Sequence, residues 1–451
     1  MLTYTLKKSP GVPLYEALYR AIRGDILSGA LKPGEKLPSK RGLAQNLEVS
    51  KITVEAAYGQ LLSEGYIRSR ERQGYFVEAV ERPAQMAATQ TASHAPVQEP
   101  AGLTGGGAGR FPFSVWSRLQ REVMLDFGEK LLLPMPNQGV PELREAIAGH
   151  LAAFRGMRVD PGCVLVGAGT DFLYNLLIQL LGRELTYAVE EPGYSKIRRV
   201  YAAGGVRCVS APLDSRGVCP DVLEQAQVLH FSPSHHFPTG LVTPMSRRLE
   251  LLAACRGYLI EDDYDSEFRF DAHPMSAMQT LDPDRVIYLN TFSKTLAPSI
   301  RISYMVLPSG LMAAFQTRLG FYGCTVPSFE QYTLARFLSR GHFEKHINRM
   351  RKYYRTRRNA LLKTLSDCSF ADRLQILEQD AGLHFLVRVD TALSDAALTA
   401  LCAQAGIRIH ALSEYYHDSR EDRRTLVVNY AGLTQEELEE KLSRLEALTN
   451  V

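Results

Sequence analysis

Residues Asn290 to Arg301 read NTFSKTLAPSIR and set a lysine among hydroxyl groups, with an arginine a short way on. Lys294 carries an amine able to condense with a carbonyl. Thr291, Ser293 and Arg301 carry donors suited to a phosphate, the arginine through charge-assisted bonds. In isolation a Ser-Lys pair reads as an ordinary surface feature, but three other stretches hold complementary groups. GYLIEDDYDSEF ends an apolar run with Asp262 and Tyr264, a carboxylate and a phenol near one strand end. VGAGTDFLYNLL puts Gly169, Thr170 and Asp171 where a strand passes into a helix, a turn whose free N–H groups and dipole favour phosphate. EEPGYSKIRR supplies Tyr194, a ring able to stack on a planar ligand, although a buried core tyrosine explains that residue equally well by itself.

An amine partner for a carbonyl, a phosphate clamp, a carboxylate for a ring nitrogen and a phenol for a ring hydroxyl are together the needs of pyridoxal 5′-phosphate. In this reading Lys294 forms the Schiff base, Asp262 pairs with the ring nitrogen and Tyr264 bonds the ring oxygen. Tyr194 stacks, while Gly169, Thr170, Asp171, Thr291, Ser293 and Arg301 surround the phosphate.

The frame for such a site is visible from about residue 110. CVLVGAG, LTYAVEEP, RCVSAPL, VLHFSPS, GYLIEDDY and RVIYLNTFS are short apolar strands separated by helix-length stretches. That alternation predicts an α/β fold with a parallel, doubly wound sheet covered on both faces, binding ligands beyond the carboxyl ends of its strands.

Residues 1–80 carry a different pattern. Leu14, Leu18, Ile22, Ile26 and Leu27 recur at helical spacing before LKPGEKLPS breaks the helix. Ser39 then caps a short helix with Leu43, Ala44 and Leu47, and Ser50 caps another with Val54, Ala57, Leu61 and Leu62. Gly65 ends it, and YIRSRERQGYFV alternates as two strands around Gln73 and Gly74. This is a winged helix-turn-helix, whose second helix of the turn enters a major groove while the wing follows phosphates. Lys51 and Thr53, next to the Ser50 cap, are the groove candidates; Arg41 and Arg68 are phosphate candidates, and Gln73 and Gly74 form the wing tip. Charge agrees: residues 1–80 hold 12 Lys+Arg against 8 Asp+Glu, and the remainder 40 against 41, so the positive excess sits where a polyanion could use it.

Between them, residues 81–109 lose apolar periodicity and read as a flexible linker. Its GGGAGR has no preceding strand and no following Gly-Lys-Ser/Thr, which excludes a phosphate loop. The 45% apolar and 22% charged content is that of a globular chain, and no apolar run approaches the roughly 18 residues that span a bilayer. Seven cysteines without Cys-x-x-Cys spacing argue against zinc and against a disulfide framework. A reducing cytoplasm is the expected compartment.

Residues 14–77, with the PGxxLPS turn and the S-K-x-T-V helix start, resemble the GntR family of bacterial regulators. Residues 110–451, including NQGVPELREAIAGHL and SPSHHFPTG, resemble fold-type I aminotransferases, with a smaller C-terminal subdomain. Together they resemble the MocR subfamily, in which an aminotransferase-like domain senses ligands for an attached DNA-binding domain. The resemblance implies the cofactor roles given above, places His235 near the ring, and implies a homodimer reading a double-stranded DNA operator.

Departures from the family are informative. In aminotransferases an arginine near the C-terminus binds the substrate carboxylate, and Val427 of RTLVVNYAGL stands at the matching position. Arg424, three residues earlier, would face the other side of a strand. Lys196 stands where an amino-acid-sensing member has a second arginine, Gln73 replaces a small or basic wing residue, and Asp171 replaces a neutral amide. A carboxylate beside a phosphate turn is unfavourable unless it points away. The leading expectation is therefore a regulator whose effector is pyridoxal phosphate itself, as in vitamin B6 control. A regulator sensing an amino acid or amine through an external aldimine comes second. A working aminotransferase with a DNA-binding appendage comes third, because turnover needs an oriented carboxylate.

Overall fold

The computed structural model describes Tyr4 and residues 13–71, 73–79, 110–268, 276–377, 382–417, 421–430 and 434–449. The chain divides into two compact units, Met1–Val97 and Gln98–Val451. The expected linker, 81–109, lies outside the described residues.

In the first unit, α1 (Leu14–Ser28), α2 (Lys40–Asn46) and α3 (Lys51–Ser63) precede a hairpin of β1 (Ile67–Arg70) and β2 (Gly74–Val77). The helix starts are fixed by serine caps: Ser39 Oγ accepts from the Gly42 N–H at 3.0 Å and Ser50 Oγ from the Thr53 N–H at 3.1 Å. Each cap satisfies a donor that the helix cannot. Leu18, Ile22, Leu43, Val54, Ala57 and Leu61 close the small core, and Gly65 turns the chain into the hairpin at φ 75°.

The second unit is built on eight strands: β3 (Val164–Gly167), β4 (Thr186–Glu191), β5 (Arg207–Asp214), β6 (Gly217–Val218), β7 (Val228–Phe231), β8 (Tyr258–Asp262), β9 (Val286–Thr291) and β10 (Ser303–Val306). Their order across the sheet is β3-β10-β9-β8-β7-β4-β5-β6. Strands β5, β4, β7, β8 and β9 are mutually parallel. β10 is antiparallel to both β9 and β3, and β6 folds back on β5, so the expected parallel sheet is in fact mixed. The reason lies in the β9–β10 connection. Ser303 pairs directly with Thr291, and residues 292–302 are too few for the crossover of about a dozen or more residues that a parallel return needs.

Helices α4 (Phe113–Phe127), α5 (Pro141–Arg155), α6 (Thr170–Leu181), α7 (Ser195–Ala203), α8 (Met245–Ala254), α9 (Phe292–Thr295), α10 (Ser309–Leu319), α11 (Ser328–Ser339) and α12 (His342–Asp367) follow the same order. The two-residue period of the strands sorts side chains between two apolar layers. Val164, Val166, Tyr304 and Val306 join Leu119, Ile147 and Leu334 on one face; Leu165 and Met305 join Leu173, Leu177 and Phe315 on the other. A smaller antiparallel sheet follows, in the order β11-β12-β14-β13, from β11 (Leu374–Leu377), β12 (His384–Val389), β13 (His410–Ala411) and β14 (Thr425–Asn429). It packs with α13 (Asp395–Gln404) and α14 (Gln435–Thr449) around Phe385, Val387, Leu426 and Val428. Among the described residues no helix is long and apolar enough to cross a membrane.

A buried polar network lies on the β8 side of the sheet. Arg155 Nη2 is 3.1 Å from Asp263 Oδ2, the Tyr288 hydroxyl donates to the same oxygen at 2.6 Å, and Asn290 Nδ2 donates to Glu267 Oε1 at 3.3 Å. Burial pushes the Glu267 carboxyl up to about 7, with His150 pulling the other way. A carboxyl raised in the folded state favours folding below its unfolded value and loses that advantage as pH rises through its folded value. Glu267→Gln is therefore expected to match the wild type in stability at pH 4 and to exceed it by about 3 kcal/mol at pH 8. Denaturant unfolding across that range checks it, and a difference that does not grow with pH contradicts the assignment.

Candidate functional site

A pocket opens where β8 and β9 end and β3 gives way to α6. Apolar Leu259 and Ile260 bury β8 in the sheet, and the strand then delivers Asp262 to the pocket wall. Asp262 Oδ2 accepts from the Tyr174 hydroxyl at 2.5 Å and lies 3.2 Å from His230 Nε2. The other face of that imidazole, Nδ1, is 2.7 Å from the Tyr201 hydroxyl. This chain fixes one carboxylate oxygen, while Oδ1 is buried without a partner among the described residues. An orphaned carboxylate oxygen in a pocket wall fits a protonated ring nitrogen.

The end of β9 is equally specific. Thr291 Oγ1 accepts from the Ser293 N–H at 3.1 Å and from the Ser303 hydroxyl at 2.8 Å. This cap begins the single turn α9 and brings Lys294 into the pocket lining. Ser293 Oγ is buried and unpartnered, a free donor beside the lysine. Arg301 takes a left-handed backbone, φ 50°, a conformation that non-glycine residues adopt at some strain. Its Nη2 lies 3.4 Å from the Ala168 carbonyl and 3.3 Å from Asp171 Oδ2. Gly169 precedes α6 at φ 92°, and a Cβ there would lie 2.2 Å from Arg301 Nη2. The glycine is the cradle for the guanidinium. Thr170 and Asp171 follow it in the first turn of α6 and line the pocket.

Asp171 lines the pocket rather than pointing away from it, and its charge is met by cations. Its Oδ2 is 2.8 Å from Lys196 Nζ as well as close to Arg301. The two cations answer the expected repulsion.

Tyr194 and Tyr264 line the pocket. Tyr194 meets Phe237 edge-on, ring centroids 6.2 Å apart. His235, expected near the ring, contacts the pocket residue Tyr264: its Nδ1 lies 3.3 Å from the Tyr264 hydroxyl and 2.9 Å from Asp265 Oδ2. Close packing beneath β12 holds it there, since a Cβ on Gly382 would meet the His235 ring at 1.8 Å. His236 Nδ1 is 2.6 Å from Thr239 Oγ1 and its Nε2 3.5 Å from Glu190 Oε2, and burial lowers it to about 3, which keeps it neutral.

Val427 lies on the face of β14 opposite Leu426 and Val428 and packs with Phe237, Leu386 and Tyr415, against which Tyr194 and Tyr264 also rest. An apolar wall thus occupies the position matched to the carboxylate-binding arginine. Arg424 precedes β14, is exposed, and its backbone N–H is held by Asp395 Oδ1 at 2.7 Å.

Several pocket residues had no recognised signal. Glu190 ends β4, accepts from the Ser232 N–H at 3.1 Å, and is raised well above the carboxylate range by burial; an acidic residue closing an apolar strand was its only mark. Tyr174 was concealed within the apolar stripe of α6, and Pro298 and Ser232 in loops.

In the first unit Ser50, Lys51 and Thr53 gather at the start of α3. Lys51 is exposed, with Glu55 3.6 Å away. Ile52, missed by the charge pattern, is 76% exposed between them and could meet a thymine methyl in a major groove. Arg41 is exposed on α2. Arg68 Nε is already 2.8 Å from Glu78, so a phosphate would compete with that carboxylate. Gln73 is exposed at the hairpin tip, and Gly74, φ 109°, leaves room for the Lys36 side chain.

The mixed sheet, with a lysine on a one-turn helix and a carboxylate at the next strand end, defines a fold-type I architecture, and the comparisons bear this out. Residues 105–445 match the aminotransferase class I and II family, whose members depend on pyridoxal phosphate, and residues 14–77 match the bacterial regulatory proteins of the gntR family. An archaeal alanine:glyoxylate aminotransferase superposes with TM-score 0.67 at 20% identity, over 76% of this chain and 89% of its own. An uncharacterized HTH-type transcriptional regulator YdeL of Bacillus subtilis is 34% identical, over 99% of both chains. The probable rhizopine catabolism regulatory protein MocR of Rhizobium meliloti is 32% identical over 98% of this chain and 95% of its own. The pyridoxine biosynthesis transcriptional regulator PdxR of Corynebacterium glutamicum is 32% identical over 88% of each. The chain belongs to the MocR subfamily of GntR regulators.

Gly169→Ala should displace the Arg301 guanidinium and cost about 1–2 kcal/mol in stability. Gly149→Ala, within α5 with open space around it, should stabilise by about 0.5–1 kcal/mol. Thermal unfolding of both variants checks the contrast; equal shifts would show that Gly169 has no special role.

Proposed function

We infer that the chain binds double-stranded DNA through its winged unit and pyridoxal phosphate through the pocket of its second unit, and that cofactor occupancy alters DNA affinity. The observation that carries this reading is a contrast between the pocket and the apolar cluster that adjoins it through Phe237. Groups suited to every part of the cofactor line the pocket, whereas the position matched to the substrate-binding arginine is Val427, packed with Phe237, Leu386 and Tyr415. A sensor of the cofactor loses nothing by that replacement, whereas transamination loses the orientation of its substrate. PdxR, named for pyridoxine biosynthesis, supports the same effector.

The cofactor supplies a carbonyl that bonds reversibly to a primary amine. Lys294 would hold it through Nζ, Asp262 Oδ1 would accept the proton of the ring nitrogen, and Tyr264 would bond the ring hydroxyl. Tyr194 would cover one ring face. Arg301, Ser293, Thr291 and the N–H groups of Thr170 and Asp171 would hold the phosphate. Occupancy reaches DNA only if it favours one arrangement of the units over another. A homodimer with two DNA-reading heads, working in the cytoplasm, suits this scheme. A second reading, recognition of an amine lacking a carboxylate, is favoured by the same apolar wall.

Absorption spectroscopy of the full chain tests these readings. Added pyridoxal phosphate should produce a visible band of lysine-bound cofactor that a panel of amino acids leaves unchanged. A band shifted by one amine would select the second reading, and conversion to the amine form of the cofactor would show an active aminotransferase. Lys294→Ala should lose the band while retaining basal DNA binding. Lys51→Ala should weaken DNA binding by about 1 kcal/mol with an unchanged spectrum; an unaltered affinity removes Lys51 from the interface.

A further inference from the structure

Asp171 is the feature that the proposed cofactor site does not need. Its Oδ2 bridges Lys196 Nζ at 2.8 Å and Arg301 Nη2 at 3.3 Å, and all three residues line the pocket. The guanidinium it holds is the one cradled by Gly169, beside the buried, unpartnered Ser293 Oγ. A carboxylate of the chain itself therefore occupies the cations of an anion cup.

We propose that Asp171 is an internal counter-anion that competes with phosphate for Arg301 and Lys196, and so sets the affinity of the site for pyridoxal phosphate low enough for exchange with solution. The inference deepens the reading of the site as a cofactor sensor and rests on it for the identity of the ligand. Its basis is charge. Two cations and one carboxylate leave the cup at +1, against a phosphate ester of nearly −2. Without the carboxylate the two sides balance. The three side chains are between about one-third and one-half exposed, so solvent screens the repulsion, and its removal should be worth about a tenfold change in affinity rather than several orders of magnitude. Lys196 keeps Asp171 partnered when phosphate takes Arg301. A protein that reports the concentration of free cofactor needs such a weakened grip, whereas one that keeps its cofactor does not.

The test uses full-length Asp171→Asn, Lys196→Gln and the double variant. Equilibrium titration with pyridoxal phosphate should show about tenfold tighter binding for Asp171→Asn, about tenfold weaker binding for Lys196→Gln, and near wild-type binding for the double variant. Pyridoxal, which lacks the phosphate, should bind Asp171→Asn and wild type within about twofold of each other. A folded Asp171→Asn that binds pyridoxal phosphate no more tightly than wild type, or that gains equally for pyridoxal, overturns the proposal. Inorganic phosphate gives an independent reading: at matched ionic strength it should raise the unfolding temperature of Asp171→Asn more than that of wild type, and an equal or smaller rise overturns the proposal. Absence of a cofactor band in the wild type would remove the cofactor reading, while the inorganic phosphate comparison would still decide the role of Asp171. Should Asp171→Asn fail to fold, unchanged cofactor affinity in Lys196→Gln would overturn the proposal by itself.

Discussion

The reversal of the chain between Thr291 and Ser303 is the constraint on which the pocket depends. Because β10 returns antiparallel beside β9, the connection never leaves the carboxyl edge of the sheet. Both residues that begin and end it, Lys294 and Arg301, stay at that edge. A helical crossover would have carried the arginine to the opposite edge, about the length of a strand away. The same reversal seats β10 against β3, which places Gly169 and the start of α6 beside Arg301. One antiparallel strand thus keeps a lysine and an arginine of the same connection beside a helix N-terminus that is far away in sequence. The left-handed backbone of Arg301 is the local strain of that arrangement.

Electrostatics then shapes what the assembled pocket can accept. Burial raises the Glu190 carboxyl well above its ordinary value, and Asp262 is held by Tyr174 and His230. The cations are Lys294, Lys196 and Arg301, and Asp171 engages two of them. Positive charge is therefore concentrated around Arg301 and Lys196, while the aromatic rings of Tyr194, Tyr264 and Phe237 line the pocket elsewhere. Such polarity within one cavity orients a ligand with an anionic end and an aromatic body.

What the sequence made legible follows from how local each cause was. Ser39 and Ser50 announce helix starts because capping is a matter of three or four residues. Asp262, Thr291 and Lys294 are visible because the carboxyl end of an apolar strand in an α/β fold is where ligands bind, so a polar residue there stands out. The direction of β10 was not legible, since RISYMVL has the same composition whichever way its neighbours run. Tyr174 and Glu190 were hidden because their roles arise from contacts made across the sheet and the helix packed on it. The surroundings of His235 were hidden for a similar reason: Gly382, just before β12, limits which way the ring can lie. The bridging of Asp171 depends on α7 bringing Lys196 within reach, which spacing along the chain does not specify.

The cluster around Val427 has a consequence for how the unit holds together. Phe237 belongs to the region around the large sheet, whereas Leu386 and Val427 belong to the small one, and all pack in a single cluster. The wall is therefore also a seam joining the two layers of the unit. An arginine placed at that point would bring its charge among aromatic and aliphatic neighbours. It would loosen the seam before any substrate arrived. The side chain at this point thus serves cohesion between the two layers, and a substitution chosen to bind an anion there would be felt first as a change in stability.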